Sequence, residues 1–169
     1  MFFKPLIVAA LPLFLAGHPD VTSTVQNVPT LVSGVKCATP AAAAANAAAL
    51  RDMINAARAK AGIAPVALSP RATKAAQAFA CEISARRNID HIGNDGSNVA
   101  DRLARVGVRV SVVAENTADR FTTPAKAMAA WMASTGHRNN ILTPEATQMG
   151  IGQAEGDYPT WVLVLYAPL

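Results

Sequence analysis

Three side chains could do chemistry near neutral pH: His91, Glu115 and His137, spaced 24 and 22 positions apart. Imidazole titrates in that range and ligates metals as the neutral ring. Glu115 follows the apolar run Val112-Val113-Ala114, and a carboxylate entering from an apolar strand needs a partner. Two imidazoles and one carboxylate suit a divalent metal such as zinc, with one coordination position left open. With His91 and His137 as ligands, Glu115 would be the general base of a metal-assisted hydrolase acting on peptide or cell-wall bonds. The spacing alone does not demand this, because the sequence contains no HExxH. The same residues are satisfied if each imidazole bonds to loop backbone and Glu115 pairs with an arginine. Ser134 precedes His137 by three, but no GxSxG elbow surrounds it, so a serine hydrolase is not expected. The remaining histidine, His18, lies beside an expected cleavage site and is set aside.

The elements that must position these residues are mostly helical. Thr39-Pro40 predicts a helix start, with threonine as cap and proline in the first turn. The Ala41–Ala49 run, interrupted by Asn46, continues it, and Leu50, Ile54, Ala57 and Ala61 line one face up to Gly62. Ser69-Pro70 repeats the start signal. Ala72, Ala75, Ala76, Phe79, Ala80 and Ile83 make the inner face of a second helix ending near Arg87. Asp90 to Gly96 reads as a loop carrying His91. Asn98 with Asp101 forms a capping-box start for a short helix, with Val99, Leu103 and Val106 inward and Gly107 as its stop. Alternation from Val108 to Val113 predicts a central strand that ends at Glu115. Thr123-Pro124 opens a further helix, with Ala127, Met128, Trp131 and Met132 inward, ending near Ser134 to Gly136. His137 is then expected in a loop, and Thr143-Pro144 begins another turn. Met149–Gln153 and Trp161–Ala167 read as strands joined by the Glu155–Pro159 turn. Helices with a terminal hairpin and one central strand predict an α+β fold: a small, mainly antiparallel sheet flanked by helices.

The chain has 169 residues and a net charge of +4, which suits one domain. Ala supplies 36 residues of the 51% hydrophobic content, while aromatics are 5%, so the core must rely on close packing of small residues. Residues 1–17 have the basic start, apolar run and small-residue end of a signal peptide. Export predicts a secreted or periplasmic protein with no transmembrane span in its mature form. Residues 18–39 read as a linker or arm and 40–169 as the folded domain. Two cysteines in an exported chain favour a Cys37–Cys81 bridge over two buried thiols. Arg86, Arg87, Arg102, Arg105 and Arg109 read as a solvated basic face. That face is too sparse for nucleic acid but suited to anionic envelope polymers or lipids.

Several segments together resemble a known family. Leu50 to Arg58, then Gly62 to Pro70, resembles the opening of a bacterial CAP domain, the superfamily of cysteine-rich secretory proteins, antigen 5 and pathogenesis-related 1, also called SCP. Asp90-His91-Ile92-Gly93 with Asp95-Gly96-Ser97 is similar to its histidine loop. Asp101-Arg102-Leu103 with Gly107 is similar to the helix after that loop, and Ala114-Glu115-Asn116 to its GEN motif. Trp131 to Leu142 is similar to the bacterial W-M-x-S-x-G-H-R-x-x-I-L signature. Met149-Gly150-Ile151-Gly152 and Trp161 fit the closing hairpin. The resemblance implies an α/β/α sandwich. It also implies a cleft of His91, Glu115 and His137, holding a divalent metal in some members and linked in others to lipid or small apolar ligands. Animal and plant members add a second Glu where Ser134 stands, and a histidine near the last strands where Gly150-Ile151-Gly152 stands. The expectation is an exported binding module with a His/Glu cleft, the metal-assisted hydrolase being the alternative.

Overall fold

A computed structural model describes residues 37–169. The expected signal peptide and almost all of the arm lie outside the described residues. The elements in order are α1 (Ala43–Lys60), β1 (Ala67–Leu68), α2 (Pro70–Arg86), α3 (Val99–Arg105), β2 (Val110–Asp119), α4 (Pro124–Ala133), α5 (Thr135–Ile141), β3 (Gln148–Ala154) and β4 (Thr160–Pro168). The strands form one mixed sheet in the order β1-β3-β4-β2. β1 pairs with β3 in parallel, and the other two pairings are antiparallel.

β4 is central and apolar on both faces, as a strand covered on both sides must be. Trp161, Leu163 and Leu165 join Leu50, Ile54, Trp131 and Ile141 in the core beneath α1, α4 and α5. Val162, Val164 and Tyr166 join Ala72, Ala76, Phe79, Ile83 and Leu103 beneath α2 and α3. The period-two alternation of one strand thus supplies both halves of an α/β/α sandwich.

Small residues set how close α2 comes to the sheet. Gly150, Gly152 and Ala154 present one face of β3 to Ala72, Ala75 and Ala76. A Cβ on Gly150 would fall inside the Ala72 carbonyl, and one on Gly152 inside that of Ala76. The helix backbone therefore rests directly on the strand backbone. The high alanine content is used here with two glycines, in a contact that larger residues would hold apart.

The capping signals hold at three helices. Ser69 accepts from Ala72 N–H, Thr123 from Lys126 N–H, and Asn98 forms a capping box with Asp101. The expected start at Thr39-Pro40 is corrected. α1 begins at Ala43, with Ala42 as a cap that makes no side-chain bond. Three contacts hold residues 37–39 elsewhere. Cys37 is bridged to Cys81 on α2, Ala38 O accepts from Glu155 N–H (2.7 Å), and Thr39 Oγ1 accepts from Gln77 Nε2 (3.2 Å). The bridge expected from the cysteine count is therefore formed. Two further corrections bear on the site. β2 runs on to Asp119, which puts Glu115 in mid-strand instead of at its end. His137 lies in the short helix α5, not in a loop.

Candidate functional site

Glu115 stands opposite Val164 in the sheet register and Asn116 opposite Leu163. Adjacent strand residues point to opposite faces, so Glu115 faces the α2–α3 layer and Asn116 the α1–α4–α5 layer. β2 is an edge strand, and each layer sends one histidine toward this stretch of it.

From the α2–α3 side, Arg102 reaches Glu115. Its Nη2 donates to Glu115 Oε2 at 2.7 Å, and the two side chains are only 9% and 3% exposed. The same guanidinium donates through Nη1 to His91 O (3.2 Å) and Ser97 O (2.8 Å) and lies 3.6 Å from the Phe79 ring centroid. Only arginine offers this planar fork with a stackable face. One side chain therefore fixes both the carboxylate and the backbone of the histidine loop. Reading Arg102 as part of a solvated face is corrected: it is buried. A signal was present, because Arg102 falls between Val99 and Val106 at spacings of three and four, on the inward stripe of α3.

His91 completes the group. Its Nδ1 lies 3.0 Å from Glu115 Oε1, while its side chain is 54% exposed. The ring is held by one nitrogen and turns the other toward solvent. The hydrogen bond with Glu115 raises the His91 pKa above its ordinary value, against a smaller opposing effect of burial. The loop is set by Asp90, whose Oδ1 accepts from the N–H of His91 (2.6 Å) and Ile92 (3.3 Å); these bonds hold the Asp90 pKa below the usual carboxylate range. Arg86 adds bonds to Asn88 O and Ile92 O.

From the other layer, Asn116 Nδ2 donates to His137 O (2.9 Å). Asn140 Nδ2 donates to Glu115 O (3.2 Å) and Asn116 Oδ1 (2.8 Å). α5 is thereby fixed to β2 at the residues flanking the carboxylate. Burial lowers the His137 pKa, and the charge on His91 lowers it further. Asn116 is fully buried; sequence reasoning placed it in a motif without giving it this task.

The structure therefore joins His91 to Glu115 directly and brings His137 to the same region. It also realises the alternative in which Glu115 pairs with an arginine. Both carboxylate oxygens are engaged, one by Arg102 and one by His91. Among the described residues no three His, Cys, Asp or Glu side chains are gathered so as to hold a metal ion. The arrangement leaves the second ring nitrogen of His91 open, with Glu115 behind as the group that orients the ring, as is common around metal-bound histidine. It does not fit a site in which Glu115 is itself a ligand.

The model of the cysteine-rich secretory protein family matches residues 51–166, which include every residue of this group. YkwD of Bacillus subtilis is 32% identical over 104 residues, covering 62% of this chain and 40% of YkwD. An extracellular SCP-domain protein of Bacillus anthracis superposes with a TM-score of 0.66 at 22% identity, over 71% of this chain and 39% of that one. An outer surface protein of Borrelia burgdorferi gives 0.72 at 15% identity, over 79% of this chain and 99% of that one. The chain spans about 40% of the length of YkwD and of the Bacillus anthracis protein.

Proposed function

The chain belongs to the cysteine-rich secretory protein (CAP) family, and from that premise we propose that it is an exported binding module whose ligand site is the surface shared by His91 and His137. The observation that carries this is the burial of Glu115 between Arg102 and His91. A general base must reach the proton it takes, and here the carboxylate is 3% exposed, with one oxygen on Arg102 and the other on His91. The arrangement supports a fixed imidazole for binding better than a hydrolytic carboxylate.

The ligand class follows from what is offered. His91 presents one free ring nitrogen, and burial lowers the His137 pKa, which favours the neutral form that donates to metals. A divalent ion such as zinc, bound by the two nitrogens, would keep positions open for a second ligand. Ile89 and Ile92 are exposed on the same loop and supply an apolar flank for a small or lipid-like molecule. Export is supported by the Cys37–Cys81 bridge, which suits an oxidising compartment, and by relatives described as extracellular or outer-surface proteins. No helix among the described residues is long and apolar enough to cross a membrane.

Zinc titration by calorimetry tests the reading. Wild type should bind one ion, and His91→Ala and His137→Ala should each weaken binding at least about tenfold while the fold persists, the loss of one ligand's free energy. Equal affinity in wild type and both variants would reject the site.

A further inference from the structure

At the opposite end of β2 from Asp119, a pocket of about 400 Å³ lies between the first turn of α2, the Gly107 turn and the end of β4. We propose that it binds a phosphate-class oxyanion through Arg71 and Arg109. Five residues of strand separate it from Glu115, about 17 Å at the usual rise, so it is distinct from the histidine site.

The first observation is how arginines are paired. At the surface, Arg51, Arg87, Arg105 and Arg120 each hold a carboxylate, those of Asp52, Asp157, Asp95 and Asp119. Arg71 and Arg109 hold none among the described residues, and both line this pocket. No Asp or Glu side chain among the described residues lines it. Two guanidiniums with no acidic side chain leave the lining side chains net positive.

The second observation is that the two arginines are brought together by the chain. Gly107 has φ +74, a left-handed conformation that makes the turn between α3 and β2. Arg71 Nη1 donates to Gly107 O at 3.3 Å, which holds its guanidinium over that turn. Arg109 follows two residues later, and its carbonyl accepts from Leu169 N–H at 3.0 Å, fixing its backbone at the rim.

Neutral donors complete the lining. Tyr166 Oη donates to Gln148 Oε1 (3.1 Å), leaving the Gln148 amide NH2 group available to an acceptor. Ser69 Oγ accepts from Ala72 N–H (3.3 Å), which leaves its own proton free. α2 carries no acidic residue in its first turn, so nothing in that turn offsets the positive end of its dipole. Two guanidinium forks with hydroxyl and amide donors match the several oxygens of a phosphate better than the two of a carboxylate.

The test is calorimetric titration of the full chain with inorganic phosphate and pyrophosphate at low salt, beside Arg71→Gln, Arg109→Gln and the double variant. Both arginines are exposed, so the variants should keep the wild-type melting temperature, which is measured in parallel. Each single change should weaken binding about tenfold, the loss of one charge-assisted contact, and the double variant should show no heat of binding. Sedimentation with phosphatidylglycerol vesicles, against phosphatidylcholine, distinguishes the source. Co-sedimentation that free pyrophosphate competes away assigns a lipid headgroup, and binding of the free anion alone assigns a soluble phosphate. No binding of either anion by wild type, or equal binding by wild type and the double variant, overturns the proposal.

Discussion

Replacing Arg58 by Met should cost the protein about 4 kcal/mol of stability, because buried acceptors that lose their donor keep the whole penalty of being out of water. Arg58 is fully buried. It donates to four backbone carbonyls: Ala64 O (2.8 Å), Ile141 O (2.9 Å), Thr143 O (2.8 Å) and Ala146 O (2.9 Å). No carboxylate is among these partners, and desolvation pulls its pKa below the usual guanidinium value. The cation instead closes the C-terminal end of α5, where carbonyls lack helical partners and a positive charge is favoured. α1 is thereby tied to the helix that carries His137. Met fills similar volume but offers no N–H, so the carbonyls stay buried and unpaired. Lys at this position should also destabilise, since one ammonium cannot span four acceptors. Denaturant titration of wild type, Arg58→Met and Arg58→Lys checks this. Midpoints within error of each other would mean the guanidinium is replaceable.

Gly152→Val should be as damaging, for a steric reason. The added Cβ falls inside the Ala76 carbonyl, which is helix backbone and cannot rotate aside. Either α2 lifts from β3 or the strand is displaced, and both break the contact of Ala72, Ala75 and Ala76 with the sheet. Overpacking of this kind costs about 3 kcal/mol or more, about 10 °C in melting temperature for a domain of this size. Gly150→Val should behave alike. Gly136, around which a Cβ meets open space, is the control: Gly136→Ala should leave melting unchanged. A melting temperature for Gly152→Val equal to that of the Gly136→Ala control would contradict the packing described. α2 leads into the His91 loop, so lifting it should also reduce zinc binding.

Much of this architecture was legible, and the exceptions have physical causes. The inward face of α2 was readable because six apolar residues repeat at helical spacing, and all six are buried. The capping box of α3 was readable because its two side chains satisfy each other locally. α1 starts later than its threonine-proline signal because the disulfide and the Glu155 contact, both long-range, hold the residues before it. β1 was not read, since two residues carry no periodicity and its parallel pairing with β3 is set by tertiary contacts. α5 was missed because Ser134-Thr135-Gly136 reads equally well as a helix end. At the site, His91, Glu115 and His137 could be named from their motifs, but the division of Glu115 between Arg102 and His91 could not. Arg58 and Arg102 were passed over because charge suggests solvent. Their spacing told otherwise: Arg58 is four after Ile54 and eight after Leu50, on the buried stripe of α1.

The two histidines should titrate apart, with opposite consequences for stability. The folded pKa of His91 lies above 6.5 because Glu115 bonds to the ring. Its contribution to stability is full below the ordinary value and is lost as pH climbs through the raised one. His137 lies below 6.5, through burial and the charge of His91. Its contribution is full above the ordinary value and is lost as pH falls through the lowered one. NMR pH titration of the histidine ring protons in wild type and Glu115→Gln tests whether the three residues form one site. In wild type the His91 midpoint should lie above that of His137. In Glu115→Gln the His91 midpoint should fall, and His137, relieved of its charged neighbour, should rise, so that the gap narrows. Coincident midpoints in wild type, or a gap unchanged in the variant, would mean that Glu115, His91 and His137 do not form one site.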